Sequence, residues 1–267
     1  MNEFRLDPET LNFTLISEGP LNCPACKEGI KPIAAADFRK DYIRAYEIKD
    51  NIQPSKFELS GEFLKTSRAD GYEEILVDSE KHGDPFESYT PEEIESLLMF
   101  ISQRVKSMEK YEFGKNLEVS RYLKGHGLFD MIVLDIPNHD KGKCMECAEI
   151  SNAGVREIYR NEHVIAYVPF APRDGFEFAI TPLKHISITD LDQVLAFDIA
   201  AVIKKFIGFA GGDTTISVHQ PGNSHFSIRF YQGERNPFEI LGIEKIDYYP
   251  ESLAKEAGEK LKDGTKH

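Results

Sequence analysis

The segments Cys23-Pro-Ala-Cys26 and Cys144-Met-Glu-Cys147 contain all four cysteines of this 267-residue chain, in two Cys-x-x-Cys pairs. Each pair is followed by two widely spaced histidines: His82 and His126 after the first pair, and His185 and His225 after the second. Zinc favours four thiolate and imidazole ligands in a tetrahedron, and a two-residue spacer lets two thiolates reach one ion. The order Cys, Cys, His, His therefore predicts one closed metal site in each half of the chain, and a duplicated unit.

A strand is predicted before one histidine of each set. Residues 74–78 (EILVD) lead to His82, and residues 176–181 (FEFAIT) lead to His185. In the second segment, aromatic and aliphatic residues alternate with other residues, which is typical of a strand with one buried face.

A helix is predicted after each of these strands. The first begins at Thr90-Pro91, where threonine caps the helix and Glu93 completes a capping box. The second begins near Thr189 and ends at the pair Gly211-Gly212. The polar, turn-rich residues 137–142 (PNHDKG) then provide a boundary between two halves, 1–142 and 143–267.

Composition excludes several classes of protein. The hydrophobic fraction of 41% is that of an ordinary globular protein. The net charge of −13 repels a phosphate backbone, so we expect no general nucleic-acid binding. No stretch approaches the roughly 20 apolar residues of a membrane span, and the first ten residues have no apolar signal core. We therefore expect a cytoplasmic protein without membrane contact.

Several motifs together resemble the galactose-1-phosphate uridylyltransferase family of the histidine-triad superfamily. They are Arg5-Leu-Asp-Pro8, Cys23-Pro-Ala-Cys26, Asp78-Ser-Glu-Lys-His82, and the positions Phe170, Arg173, Phe176, Glu177, Pro182 and His185. The resemblance implies an α+β fold of two tandem duplicated histidine-triad-like units, each a curved antiparallel sheet with a packing helix and a zinc site. It also implies that the two predicted Cys and His sets hold structural zinc. The bound small molecule would be a nucleotide or sugar phosphate, and the protein could form a homodimer, as members of the family often do.

The chain departs from the family at the reactive motif. The family's His-Pro-His-x-Gln motif supplies a metal ligand and then the histidine that attacks the α-phosphate of a nucleotide sugar. Here the segment reads His126-Gly-Leu-Phe-Asp130, so Leu128 occupies the nucleophile position and Asp130 the glutamine position. Leucine has no lone pair with which to attack phosphorus. In the second half, the corresponding His-x-His becomes His225-Phe-Ser227.

Three further residues have alternative interpretations. Arg173 and Arg229 are phosphate-contact candidates; alternatively, Arg173 satisfies loop carbonyls and Arg229 pairs with a nearby acid. His219 matches a family position near the second metal, or is a partly buried strand histidine.

Two hypotheses for function follow. The first is a zinc protein that binds a nucleotide or sugar phosphate, with transfer impaired or altered by Leu128; if active, it is a nucleotidyltransferase resembling UDP-sugar:hexose-1-phosphate uridylyltransferases. The second is a catalytically inactive scaffold or regulatory protein on the same zinc-stapled fold. A histidine-triad phosphohydrolase is disfavoured, because it uses the same missing histidine.

Overall fold

The computed structural model describes residues 2–17, 23–26, 30–39, 41–48, 52, 57–78, 85–108, 116–123, 127–134, 144–222, 224–246 and 249–255. Within these ranges the chain forms fourteen strands, the four α-helices bounded below and a further helical stretch at residues 250–255, which confirms the α+β class. The predicted boundary at residues 137–142 lies outside the described residues.

The strands of the first half are β1 (Glu3–Leu6), β2 (Phe13–Ile16), β3 (Ala34–Phe38), β4 (Asp41–Glu47), β5 (Thr66–Arg68), β6 (Tyr72–Val77), β7 (Asn116–Tyr122) and β8 (Leu128–Leu134). Those of the second half are β9 (Glu157–Arg160), β10 (Val164–Tyr167), β11 (Phe178–Pro182), β12 (Thr214–Pro221), β13 (Ser227–Gln232) and β14 (Glu244–Ile246). The helices are α1 (Pro91–Met108), α2 (Met145–Ser151), α3 (Gln193–Ala210) and α4 (Pro237–Ile240).

Ten strands form one antiparallel sheet in the order β3-β4-β6-β8-β7-β12-β13-β11-β10-β9. The two halves of this sheet have the same strand order, read outward from the central β7–β12 pair. Each half also carries an 18-residue helix between its third and fourth strands in the chain, α1 or α3. A smaller sheet has the order β14-β2-β1-β5.

The two faces of the large sheet are covered differently. Helices α1 and α3 pack against each other and against one face, where Ile101 and Ile203 join strand residues such as Leu76 in the main core. The opposite face is partly covered by the small sheet, where Phe4 packs near Ile132 of β8. We call this second face the open face. None of the helices in the described ranges is long and apolar enough to cross a membrane.

The amino end of α1 has the predicted capping box. The Glu93 backbone N–H donates to Thr90 Oγ1 at 3.3 Å, and the Thr90 N–H donates to Glu93 Oε2 at 2.8 Å. These bonds satisfy two N–H groups that have no partner inside the helix.

The second long helix begins later than its sequence predicts. The expected start near Thr189 is wrong because Ser187 caps only a short 3₁₀ turn, Ile188–Asp190. Asp192 then accepts the N–H of Leu195 and caps α3 separately. The predicted end is confirmed at Gly211, whose φ of 73° favours glycine.

A buried ion pair ties the first half of the sheet together. The Arg121 guanidinium of β7 donates to Asp78, which follows β6, and the Tyr89 hydroxyl donates to the same carboxylate at 2.7 Å. The guanidinium also lies over the rings of Phe86 and Phe129, at 4.9 and 5.1 Å from their centroids. Burial lowers the pKa of Arg121 to about 9, so its charge depends on these partners.

We expect Arg121→Leu to lower the free energy of unfolding by about 3–5 kcal/mol, because it leaves the Asp78 carboxylate buried without its cation. Arg160→Leu is the control: it removes an arginine whose pair with Glu157 is largely exposed, and should change stability by about 1 kcal/mol or less. Urea unfolding of the two variants measures the difference, and similar losses would contradict the buried-pair interpretation.

Candidate functional site

The second Cys-x-x-Cys pair and its two predicted histidines converge in the structure. Cys144 caps α2, with its Sγ accepting the N–H of Cys147 at 3.4 Å. His185 follows β11, and His225 precedes β13. One donor atom from each of these four residues lies within 4.8 Å of the others. Residues from three separate places in the second half, namely the start of α2, the end of β11 and the start of β13, thus meet at one point.

The spacing of these donors suits a tetrahedral zinc ion. Cys147 Sγ lies 3.5 Å from His185 Nδ1 and 3.9 Å from His225 Nε2. Zinc–sulfur and zinc–nitrogen bonds of about 2.3 and 2.0 Å at a tetrahedral angle imply a sulfur–nitrogen separation of about 3.5 Å. The donor types and their separation therefore fit zinc.

Electrostatics in this cluster favour neutral donors when no cation is bound. Burial lowers the pKa of His225, and the neighbouring His185 adds to the effect. Burial also raises the pKa of the Cys147 thiol, with a hydrogen bond to Cys144 as the next cause. A neutral imidazole is already the form that ligates a metal, whereas the thiols must lose protons as a cation binds.

The first predicted ligand set is only partly described. Cys23 lies just before the 3₁₀ turn Pro24–Cys26, where the Cys26 N–H donates to the Cys23 carbonyl at 3.2 Å. His82 and His126 lie outside the described residues.

Leu128 and Asp130 both lie on β8 and point to the open face. Leu128 packs with Ile75 and Val77 of β6 in a small apolar cluster. Asp130 stands opposite Ser120 of β7, and its Oδ1 is buried without a hydrogen-bond partner among the described residues. Burial raises the pKa of Asp130 to about 7, although the positive charge of Lys245 opposes the rise.

Arg229 is held between acidic side chains on the open face of the second half. Its guanidinium donates to Glu177 Oε1 at 2.8 Å, to Glu146 Oε1 and, through Nε, to Ser227 Oγ at 3.2 Å. The Tyr167 hydroxyl donates to the other Glu146 oxygen. This is the acid pairing that the sequence allowed as one interpretation of Arg229, and it leaves the guanidinium compensated within the protein.

Glu118 and His219 form a second buried pair beside Arg229. They stand directly opposite each other on β7 and β12. His219 Nδ1 lies 2.6 Å from Glu118 Oε2, and the Ser217 hydroxyl donates to Glu118 Oε1. Burial, and then the positive charges of Arg229 and Arg173, lower the pKa of His219 well below its ordinary value. Burial also raises the pKa of Glu118 well above its ordinary value, so the pair avoids separated charges.

A cavity of about 370 Å³ opens beside this pair. His219, Arg173, Arg229 and Glu146 supply its charged and titratable lining. Two segments supply much of the remaining lining: Leu11, Asn12 and Phe13 near β2, and Ile240, Leu241, Gly242 and Ile243 around α4. The other lining residues are Asn116, Met145, Pro221 and Ser224. Met145 and Ser224 are sequence neighbours of the candidate metal ligands Cys144 and His225, so the cavity lies next to the candidate metal centre.

Arg173 reaches this cavity from the loop before β11. Among the described residues, its guanidinium donates one hydrogen bond, to the Ile240 carbonyl, and its backbone N–H donates to Glu177. A guanidinium has five N–H groups, so Arg173 retains donors that a ligand in the cavity can use. Of the two phosphate-contact candidates, Arg173 is thus the one whose positive charge is less neutralised by carboxylates within the described residues.

The sequence did not single out Glu118 or Ser217. The available signal was the alternation in NLEVSRY (116–122) and TTISVHQP (214–221), where polar residues repeat at every second position. That pattern normally indicates a solvated face. Both residues are instead buried under neighbouring elements.

No protein-family model matches the chain. The chain is homologous to the galactose-1-phosphate uridylyltransferase of Thermotoga maritima, with 24% identity over 218 aligned positions that cover 70% of this chain and 68% of that protein. The resemblance inferred from the motifs is thereby confirmed.

Solved structures share the fold over nearly the whole chain. A uridylyltransferase matches with a TM-score of 0.67 and 18% identity, covering 95% of this chain and 96% of that chain. An ADP-glucose phosphorylase from Arabidopsis thaliana, solved with bound ADP-glucose, matches with a TM-score of 0.60 and 18% identity, covering 96% and 97%. At these identities the matches establish a common fold.

We expect His185→Gln to lower the zinc content by one ion per chain, because three donors hold zinc less tightly than four. The apparent melting temperature should also fall by several degrees, since the ion stabilises only the folded state. Metal analysis by mass spectrometry and a thermal melt measure the two effects. His163→Gln, which alters a histidine outside the ligand sets, should leave the zinc content unchanged; equal zinc in all three proteins would contradict the site.

We expect Asp130→Asn to stabilise the protein at pH 8 more than at pH 4.5. A folded-state pKa of about 7, above the unfolded value of about 3.9, means that the wild type loses stability as pH rises between these values. Asparagine removes that loss, with a relative gain at pH 8 of roughly 1–3 kcal/mol. Urea unfolding at both pH values tests this, with the exposed Asp37→Asn as control; a pH-independent effect would refute it.

Proposed function

We propose that this protein binds a nucleotide or sugar phosphate on a zinc-stapled fold and does not carry out nucleotidyl transfer at the family's usual position. The observation that carries the proposal is the polar cavity beside the Cys144 cluster, in a chain homologous to a galactose-1-phosphate uridylyltransferase. The structure of the ADP-glucose phosphorylase, which shares this fold, contains a bound nucleotide sugar, and this supports the proposed class of ligand.

Zinc at two sites is part of this proposal. Cys144, Cys147, His185 and His225 would hold one ion, and Cys23, Cys26, His82 and His126 would hold the other. Each set has four protein donors and no open coordination position, so both ions would be structural. Each ion would cross-link chain segments. The ion at the second set would join the start of α2 to the end of β11 and the start of β13.

We also propose that residues 1–142 and 143–267 arose by tandem duplication of one histidine-triad-like unit. The support is the shared strand order of the two halves and the equivalent position of α1 and α3. As part of the same proposal, we expect the protein to be cytoplasmic and able to form a homodimer.

Leu128 is the reason for excluding transfer at the usual position. Its side chain packs in an apolar cluster and offers no lone pair to phosphorus. Asp130 is a poor substitute, because a carboxyl with a pKa near 7 is partly protonated at neutral pH and an ionised one repels phosphate.

Arg173 is the proposed phosphate contact. Arg229 already donates to Glu146 and Glu177, whereas Arg173 lines the cavity with donors to spare. Guanidinium and phosphate form charge-assisted, often bidentate hydrogen bonds, so this residue should add both affinity and orientation.

The second candidate function is a catalytically inactive scaffold or regulatory protein. The observation that favours it is the same leucine at the nucleophile position. It predicts a cavity that binds none of the nucleotides and a partner protein that binds stoichiometrically.

Calorimetry with UMP, UDP-glucose, AMP and ADP-glucose on zinc-loaded protein tests the first proposal. We expect at least one ligand to bind with a dissociation constant below 1 mM, which corresponds to about −4 kcal/mol. Arg173→Gln should weaken that binding by roughly ten- to a hundredfold, the loss of one charge-assisted contact of about 1.5–3 kcal/mol.

Arg160→Gln is the matched control, because Arg160 is exposed on β9 and pairs with Glu157. It should bind the ligand as the wild type does. Absence of binding by all four ligands at 1 mM would refute the proposal and favour the scaffold hypothesis.

A further inference from the structure

A second pocket, largely apolar, opens where helix α3 ends against the outer strands of the large sheet. Its volume is about 640 Å³. Its walls include Phe206 and Phe209 of α3, Phe176 just before β11 and Phe178 at the start of β11. We call it the α3 pocket. Phe178 belongs to the main core under the helices, so this pocket lies on the helix-covered side of the sheet, away from the cavity on the open face.

The corresponding corner of the first half is closed by an ion pair. Arg104 of α1 and Phe206 of α3 each lie four residues before the end of an 18-residue helix. Glu74 stands opposite the fourth residue of β8, and Phe178 stands opposite the fourth residue of β13. Arg104 Nε donates to Glu74 Oε2 at 2.9 Å. The ring centroids of Phe206 and Phe178 are 4.8 Å apart, so the second half has aromatic walls where the first half has a guanidinium and a carboxylate.

One wall of the α3 pocket exposes more apolar surface than the fold needs. Phe209 stacks on Phe176, with 5.6 Å between their ring centroids, yet its side chain is 73% exposed. The equivalent residue of α1, one before the helix ends, is Ser107. A polar residue therefore suits this position of the helix, and the phenylalanine leaves apolar surface in water at a cost in free energy. Exposed aromatic residues around a concave pocket are typical of a ligand site.

The charge that the α3 pocket offers to a ligand is positive. Its two carboxylates are satisfied within the protein, because Asp174 accepts two backbone N–H groups and Glu177 pairs with Arg229. Lys205 also lines the pocket and is exposed. Within the described ranges its ammonium has no carboxylate partner and lies 4.8 Å from the ring centroid of Tyr159. An anionic ligand is therefore favoured over a neutral one.

We propose that the α3 pocket binds a small aromatic molecule with one negative charge, its ring among the phenylalanines and its anionic group at Lys205. Aromatic rings prefer stacked or edge-to-face contacts, and the rings of the wall already form both kinds with one another. The volume is within the range of roughly 300–1,000 Å³ that small-molecule sites have. A protein partner would instead need about 800 Å² of surface on each side, which a concave pocket does not offer.

The test is calorimetry of the zinc-loaded protein with 2-naphthoate and with 2-naphthamide, which has the same rings without the charge. We expect 2-naphthoate to bind with a dissociation constant below about 1 mM. The amide should bind about two- to fivefold more weakly, which is the factor for one exposed ion pair. Nuclear Overhauser effects between bound 2-naphthoate and the ring of Phe209 should locate the ligand in the wild type, which needs no variant to fold.

Three variants locate the site by affinity. Phe209→Ser, which copies Ser107 of α1, should weaken 2-naphthoate binding roughly tenfold through the lost ring contact. Phe63→Ser is the matched control, because Phe63 is 79% exposed and lies outside the pocket, and it should bind as the wild type does. Lys205→Gln should reduce the affinity for 2-naphthoate to that for 2-naphthamide and leave the amide unaffected. Thermal melts confirm that each variant is folded.

Several outcomes would overturn this inference. They are absence of 2-naphthoate binding at about 1 mM, equal affinity for the two probes, and equal losses in Phe209→Ser and Phe63→Ser. Light scattering that shows a dimer which Phe209→Ser dissociates would also overturn it, because a second copy of the chain would then cover the pocket.

The inference stands apart from the proposed nucleotide binding. Excess UDP-glucose should leave 2-naphthoate bound, since the two pockets lie on opposite sides of the sheet, and displacement would overturn the separate site. If none of the nucleotides binds, the binding proposal fails while 2-naphthoate binding is unaffected.

Discussion

The pairing of β7 with β12 is the interaction on which the rest of the structure depends. It runs from Thr215 opposite Tyr122 to Pro221 opposite Asn116, and it is where the two halves of the ten-stranded sheet join. Because strand register fixes which side chains face each other, this pairing puts Glu118 opposite His219. A slip of β12 by one residue relative to β7 would turn His219 to the helix-covered face and away from Glu118, so the buried pair and the join between the halves require the same register.

Burial of charge on the open face needs compensation, which side chains of the second half and of β7 supply together. Arg229 meets two carboxylates, and Glu118 and His219 share a hydrogen bond in a form that avoids separated charges. Such a network contributes little net stability compared with apolar packing, yet loss of one partner is costly. Its retention therefore suggests a use other than stability, and the cavity beside it offers one.

The sequence predicted best where a local rule acts. The capping box at Thr90 depends on four consecutive residues, and the convergence of His185 and His225 on Cys144 follows from zinc chemistry and the family resemblance. The start of α3 was missed because two nearby residues can each cap a helix, and only packing decides between them. Glu118 was missed for a similar reason: its alternating strand reads as solvated until the small sheet and α4 are placed over that face.

The two halves share a strand order but differ in what their open faces carry. The first residue of β8 is Leu128 and that of β13 is Ser227; two residues later, Asp130 stands in one strand and Arg229 in the other. The first half thus presents hydrocarbon and a carboxyl that is hard to ionise, both unfavourable for a phosphate. The second half presents arginines, an uncharged imidazole and a cavity beside the candidate metal-binding cluster. The positive charge of the arginines suits a nucleotide phosphate. A nucleotide site on the open face is therefore expected in the second half.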